Sequence, residues 1–402
     1  MRMRFRYGLE TDSWIEPENV LWNRPLPGSS LMEIQGTENP PTYGELFDQV
    51  ERWITALVVT DPSRSSMASS PTDQNGFPDE NEPASIRLVK HGSCYHVCRV
   101  TLPILPNSPM DLAVNAAVNP PGLSVIERDF TWMQKLYGRS PEPILPKVYD
   151  FGRVTSSHGR LWALFSSEWL AGFSEFHPSF DTAKNRFSIR VWDTGNEGHF
   201  LNETQERLLY RKIAAILTLL YDIRTGSEVH PWHHGAGDFV LRQNGEDLQV
   251  RLITIRGYGP LLEPQEASDL PSLWLRLLVF LCNLSIRNRL DRMDGVDQLL
   301  WSDDFVIEET IKGFGDALLA HSQKDLFSEG LSEGFRDFVS ALDPGMVYEI
   351  CDQIVDSYPP TAPEMDIIRQ HLLDHTGALY CALNERYRFC SEQPPDPTSS
   401  GG

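Results

Sequence analysis

The chain has 402 residues, 41% of them hydrophobic and 23% charged, the composition of a folded protein long enough for two lobes with separate cores. Its formal charge of −21 repels phosphate backbones and anionic headgroups, so generic nucleic-acid and membrane-surface binding are excluded, while a local basic pocket for a small anion is not. Six cysteines in a chain of this size make no disulfide framework and point to a reducing, cytoplasmic setting.

Residues 1–41 carry scattered aromatics and prolines without a clear period, and the basic Met1–Arg6 stretch lacks the apolar run of a signal peptide. Thr42 and Glu45 then have the spacing of a capping box. Leu46, Phe47, Val50, Trp53, Ile54, Leu57 and Val58 fall on one helical face behind them. Residues 1–60 therefore read as an N-terminal extension with one amphipathic helix, which should pack on the domain that follows. Residues 61–85 are Ser, Pro, Asp, Asn and Glu with few apolar residues, the pattern of a disordered linker.

Residues 86–170 read as a β-rich lobe. Strands are expected at Ile86–Val89, Tyr95–Leu102, Leu112–Val118, Val148–Gly152 and Leu161–Phe165, forming a five-stranded antiparallel sheet. The Pro120-Pro121-Gly122 break opens a helix near 122–138 that should pack on the sheet. Cys94 and Cys98 have no second cysteine pair nearby, which makes zinc binding the weaker reading of that hairpin.

Residues 171–390 read as a mostly helical lobe, with Asn202 and Gln205 capping a long helix and further helices near 269–290, 305–321, 332–342, 345–357 and 364–387. The apolar run Leu273–Ile286 is too short to cross a bilayer and reads as a buried helix. Arg287, Arg289 and Arg292 read as a solvated, salt-bridged face near Asp291 and Asp294. Residues 391–402 are polar and Pro-rich and should form a disordered tail; the terminal Gly401-Gly402 carries no functional signal of its own.

The densest chemistry lies in His230-Pro231-Trp232-His233-His234-Gly235-Ala236-Gly237-Asp238, followed by a short strand, a tight turn at Asn244-Gly245 and a second strand over Val250–Ile255. Neutral imidazoles and a carboxylate suit a first-row metal, but adjacent His233 and His234 do not readily face one ion. The Gly235-Ala236-Gly237 backbone offers a phosphate nest. The reading with the greater weight is a polar loop core hydrogen bonded to neighbouring carbonyls.

The order strand, Gly turn, strand, strand, helix, two strands, hinge, helices and catalytic loop over residues 86–290 resembles the protein-kinase-like superfamily, in its aminoglycoside and choline phosphotransferase branch. The resemblance implies an α+β, two-lobed fold with a small antiparallel N-lobe and a mostly helical C-lobe. It implies ATP with a divalent metal as cofactor, and a cleft between the lobes in which the site residues converge. Glu168-Trp169-Leu170-Ala171-Gly172 is similar to the hinge, whose backbone groups hold adenine, so Glu168 and Leu170 are the expected contacts. Leu112-Ala113-Val114-Asn115-Ala116 looks like the strand that bears a phosphate-pairing lysine, with Asn115 in the lysine's place. Glu127 takes the place of the lysine's helix carboxylate. Gly237-Asp238-Phe239-Val240-Leu241 looks like the end of the catalytic motif, so Asp238 replaces a metal-binding Asn and His233 stands where the catalytic Asp belongs. Thr254 occupies the place of the magnesium-gripping Asp, and Arg256 lies just beyond. A second register makes Asp238 the catalytic Asp and puts Gln243 in the metal-ligand position.

Three of the four charged catalytic positions are thus substituted in the first register. Phosphoryl transfer depends on offsetting charge around phosphate and metal, and each lost donor of this kind is worth about 3 kcal/mol. The expectation is a pseudokinase-type binding or scaffold protein whose partner is a protein or a small anionic ligand. The alternatives are an ATP-dependent transferase of phosphoryl, nucleotidyl or aminoacyl groups, with His233, His234 or Asp238 as general base or metal ligand and Arg256 as phosphate clamp, and a metal-dependent hydrolase built on the histidine loop. For Arg256 the expected role is a structural ion pair with Asp238 ahead of an anion contact.

Overall fold

The computed structural model describes residues 4–9, 13–27, 40–60, 83–92, 94–103, 110–192, 198–230, 235–261, 270–295, 298–322 and 329–388. The chain divides into two units, residues 1–137 with 145–171 and residues 138–144 with 172–402. The expected linker over 61–82, the tail over 391–402, and His233 and His234 lie outside the described residues.

In chain order the first unit contains β1 (Phe5–Gly8), β2 (Trp14–Ile15), α1 (Tyr43–Thr60), β3 (Ala84–His91), β4 (His96–Leu102), β5 (Met110–Ala117), α2 (Pro120–Leu136), β6 (Val148–Thr155) and β7 (Leu161–Glu168). Its sheet runs β2-β1-β3-β4-β5-β7-β6. The five strands from β3 to β6 pair antiparallel throughout, as their alternating pattern predicts. Two more strands extend the edge: β1 pairs parallel with β3, Tyr7 opposite Ile86, and β2 folds back on β1. The described residues among 1–60 therefore belong to this unit, with α1 packed on its sheet as expected. The partner strand of β1 lies some eighty positions downstream, which no local period reveals. Strand β3 begins at Ala84, whose side chain is fully buried, so the expected linker boundary at residue 85 falls inside a strand.

Alternation gives the sheet two distinct faces. Leu112, Val114 and Ala116 of β5 join Val100, Ile86, Trp162 and Leu164 in one core, closed by Leu46, Phe47, Val50, Trp53 and Ile54 of α1. Cys98 is fully buried in the same core, where burial pushes its thiol up to about 12 and it packs as a small apolar residue. The start of α1 departs from a capping box. Thr42 Oγ1 accepts from Glu45 N at 3.2 Å, but the Glu45 carboxylate does not return to the cap. It accepts instead from Trp162 Nε1 at 3.2 Å and from Arg160.

The second unit contains β8 (Glu175–Asp181), β9 (Arg186–Trp192), β10 (His199–Phe200), α3 (Glu203–Leu220), β11 (Ser227–Val229), α4 (Gly235–Asp238), β12 (Phe239–Asn244), β13 (Asp247–Leu252), β14 (Tyr258–Pro260), α5 (Leu270–Asn288), β15 (Leu290–Arg292), β16 (Leu299–Trp301), α6 (Phe305–Ser322), α7 (Glu329–Ser340), α8 (Pro344–Asp356) and α9 (Met365–Arg388). The helices fall where sequence periodicity places them. Asn202 and Gln205 form a full capping box at the head of α3. The β12–β13 pair around Asn244-Gly245 was expected, but the other strands of this lobe were not: β8, β9 and β10 form an antiparallel sheet of their own, and β11–β14 and β15–β16 are two further pairs. Arg287 and Arg289 are also not solvated. Arg287 is buried with Glu364, and Arg289 is buried with its guanidinium on Asp304 and over the Trp301 ring. No helix among the described residues is long and apolar enough to cross a membrane.

Candidate functional site

In the second unit the site is built on two short ladders. Chain entry is set by β11, which pairs with β14 through Val229 opposite Tyr258, and by His230 N donating to Gly257 O at 3.0 Å. Gly237, within α4, has φ +88°, a conformation that favours glycine, with no atom within 4 Å of a would-be Cβ. Asp238 follows and leads into β12, which pairs with β13 around the Asn244–Gly245 turn. Beyond β13 the chain passes back beside Asp238: Ile253 N donates to Asp238 O at 2.8 Å. This brings Thr254 and Arg256 to Asp238. Arg256 Nη1 lies 2.6 Å from Asp238 Oδ1, with 3% of the Asp238 side chain and 22% of the Arg256 side chain exposed. Thr254 is buried. Strand β13 ends at Leu252, three residues short of the expected end, because Leu252 N turns away to Ile144 O at 3.0 Å.

The arrangement satisfies a buried carboxylate with a guanidinium. It leaves Asp238 engaged with a cation of the protein itself. Among the described residues no three His, Cys, Asp or Glu side chains are grouped to hold a metal.

In the first unit Asn115 lies on β5, opposite Val97 of β4 and Phe165 of β7, and is buried. It shares its sheet face with Asp111 and Ala113, the face away from α1. Glu127 is not turned toward it. The Glu127 carboxylate pairs with Arg153 of the edge strand β6, both about half exposed. The residues of α2 that are buried are Gly122, Ile126, Asp129, Met133 and Leu136, spaced by four and three, and Glu127 is one position off that stripe. The buried carboxylate of α2 is Asp129, fully enclosed, which accepts from Tyr95 Oη at 2.7 Å. The four-three spacing was legible and singles out Asp129, but an acid on an apolar stripe is easily passed over in favour of its neighbour.

At the expected hinge, Glu168 N donates to Lys147 O at 2.8 Å and Ala171 N donates to Trp169 O at 3.0 Å. The Glu168 carboxylate is exposed and Leu170 is half-buried. The backbone N–H of Glu168, one of the two expected contacts, is therefore paired within the unit. Beside them the Arg99 guanidinium donates to Asp111 at 2.6 Å and lies over the Trp169 ring at 5.2 Å, while Thr101 Oγ1 donates to the other Asp111 oxygen at 2.6 Å. This Arg–Asp–Trp group, like Asp129, was not singled out by sequence reasoning, because its members come from two strands, β4 and β5, and the segment after β7. The chain passes from this unit to the other at Ala171–Gly172, where Gly172 has φ +76°.

No family model and no curated protein matches the chain. Among solved structures, one described as WaaP in complex with acyl carrier protein is similar at 10% identity, over 68% of this chain and 88% of that one, with a TM-score of 0.28. A likeness of that degree carries no argument about this chain's activity.

Proposed function

We propose that the protein is a degenerate member of the kinase-like fold that acts by binding, with a protein or a small anionic ligand as partner, and does not transfer phosphate. The fold part of this reading is supported by the five antiparallel strands with α2 between the third and fourth, and, beyond the unexpected β8–β10 sheet, by α3, the loop with its β12–β13 ladder and the later helices in that order. The functional part is carried by one observation, the Asp238–Arg256 ion pair at 2.6 Å. Magnesium is normally held by one or two carboxylates together with phosphate oxygens. The one carboxylate at the motif is bound to an arginine, and the neighbouring Thr254 is neutral and buried. Asn115 brings no charge to a phosphate, and Glu127 is turned to Arg153. These residues do not fit a magnesium nucleotide.

The test is turnover of radiolabelled ATP with small-molecule and protein acceptors, together with thermal shifts by ATP with and without magnesium or manganese. The expected result is no metal-dependent transfer. Brisk magnesium-dependent transfer that Asp238→Ala abolishes would establish the transferase instead.

A further inference from the structure

Strand β11 carries a carboxylic acid that the site above does not use. Glu228 is buried and accepts from Asn283 Nδ2 of α5 at 2.8 Å. The Asn283 oxygen in turn accepts from Tyr358 Oη, beyond α8, at 2.5 Å, which fixes the amide so that its nitrogen faces Glu228. One turn further along α5, Arg287 lies over the Tyr358 ring at 4.3 Å and donates to Glu364 Oε1 at 2.7 Å. All five side chains are buried.

The cluster holds two acids and one base. Arg287 is matched by Glu364, so an ionised Glu228 would leave one negative charge in excess where little water reaches. The other titratable groups facing it are phenols. Tyr221 after α3, Tyr258 on β14 and Tyr358 are all held above their ordinary range by burial and stay neutral. Asp222, Arg139 and Arg276 reach those phenols, and the Cys351 thiol of α8 faces Tyr358. Burial, working against the Asn283 hydrogen bond and the Arg287 charge, pushes the Glu228 carboxyl from 4.5 up to about 8.

We propose that Glu228 is a protonated acid at neutral pH, and that its neutrality lets β11 pack against α5 and the segment joining α8 and α9 without an excess buried charge. This packing bears on the candidate site through the backbone. Strand β11 leads to His230, His230 N is held by Gly257 O, and Gly257 follows the Arg256 that pairs with Asp238. This holds whether or not the site transfers phosphate.

The folded protein then keeps a proton that the unfolded chain releases near 4.5, so stability is lost as pH rises from there through about 8 and levels off above. Urea denaturation of the full chain is compared with Glu228→Gln, which keeps the shape of the neutral acid. Relative to the variant, the wild-type unfolding constant should rise about tenfold per pH unit between about pH 5.5 and about pH 7.5. Parallel profiles overturn the proposal. Infrared difference spectroscopy of the wild type supplies an arm that needs no variant. A protonated-carboxyl stretch should be present at about pH 6.5 and vanish on titration past the folded value; its absence at the lower pH also overturns the proposal.

Discussion

Arg256 and Asp238 meet because the chain beyond β13 returns past the head of β12, and the ion pair at 2.6 Å encloses the carboxylate almost completely. Removing the cation leaves a buried charge with its main partner gone. Arg256→Ala should therefore destabilise the protein by about 3 kcal/mol, and Arg256→Ala with Asp238→Asn in one chain should recover part of that loss. Chemical denaturation checks both; a single variant within about 0.5 kcal/mol of wild type would mean that the pair contributes nothing. The pairing itself was legible, since a hairpin over β12 and β13 brings the segment beyond the second strand back to the aspartate at the head of the first. Asp129 and Glu228 were less so. Each is an acid within an otherwise apolar pattern, and its burial is decided by partners, Tyr95 and Asn283, that lie 34 and 55 positions away.

Helices α3 and α6 pack closely at Gly313. A Cβ there would stand 2.1 Å from Arg211 O and 3.0 Å from both Ala214 Cβ and Ala215 N. The first of these is backbone and cannot swing aside. Near this crossing Arg211 grips Asp316 with two hydrogen bonds, 2.6 and 2.9 Å. Gly313→Ala should force the helices apart and cost about 1–3 kcal/mol, against the ordinary helical preference for alanine. Gly377 of α9 has no atom within 4 Å of a would-be Cβ, so Gly377→Ala should stabilise by about 0.5–1 kcal/mol. Opposite signs for one substitution in two helices, read from thermal unfolding, test the element packing; equal signs would contradict it. Neither glycine is distinguishable from the other by helix propensity alone.

At the scale of the molecule, residues 1–60 are the place where organisation departs most from sequence expectation. Ile15, Leu26, Leu46, Phe47, Val50, Trp53 and Ile54 are buried in the same core as Ile86, Val100 and Val114. A chain starting at residue 61 would uncover that core and expose the β3 edge. It should be insoluble or lack cooperative unfolding. Recovery of a soluble, cooperatively folding fragment would restore the view of this region as an extension.

Local pattern was enough for the five antiparallel strands, α1 to α3, the later helices and the Asn244–Gly245 turn, because alternation, four-three spacing, caps and turn residues act over a few positions. It also placed Asp238 beside Thr254 and Arg256, since a hairpin leaves little freedom in register. Only the tertiary structure decided that β1 joins β3, that α2 buries Asp129 and exposes Glu127, that Arg287 and Arg289 at the end of α5 are interior, and that β8 to β10 form a sheet. Each of these depends on which surfaces meet across long stretches of chain. There the burial of a whole face outweighs the preference of any single residue.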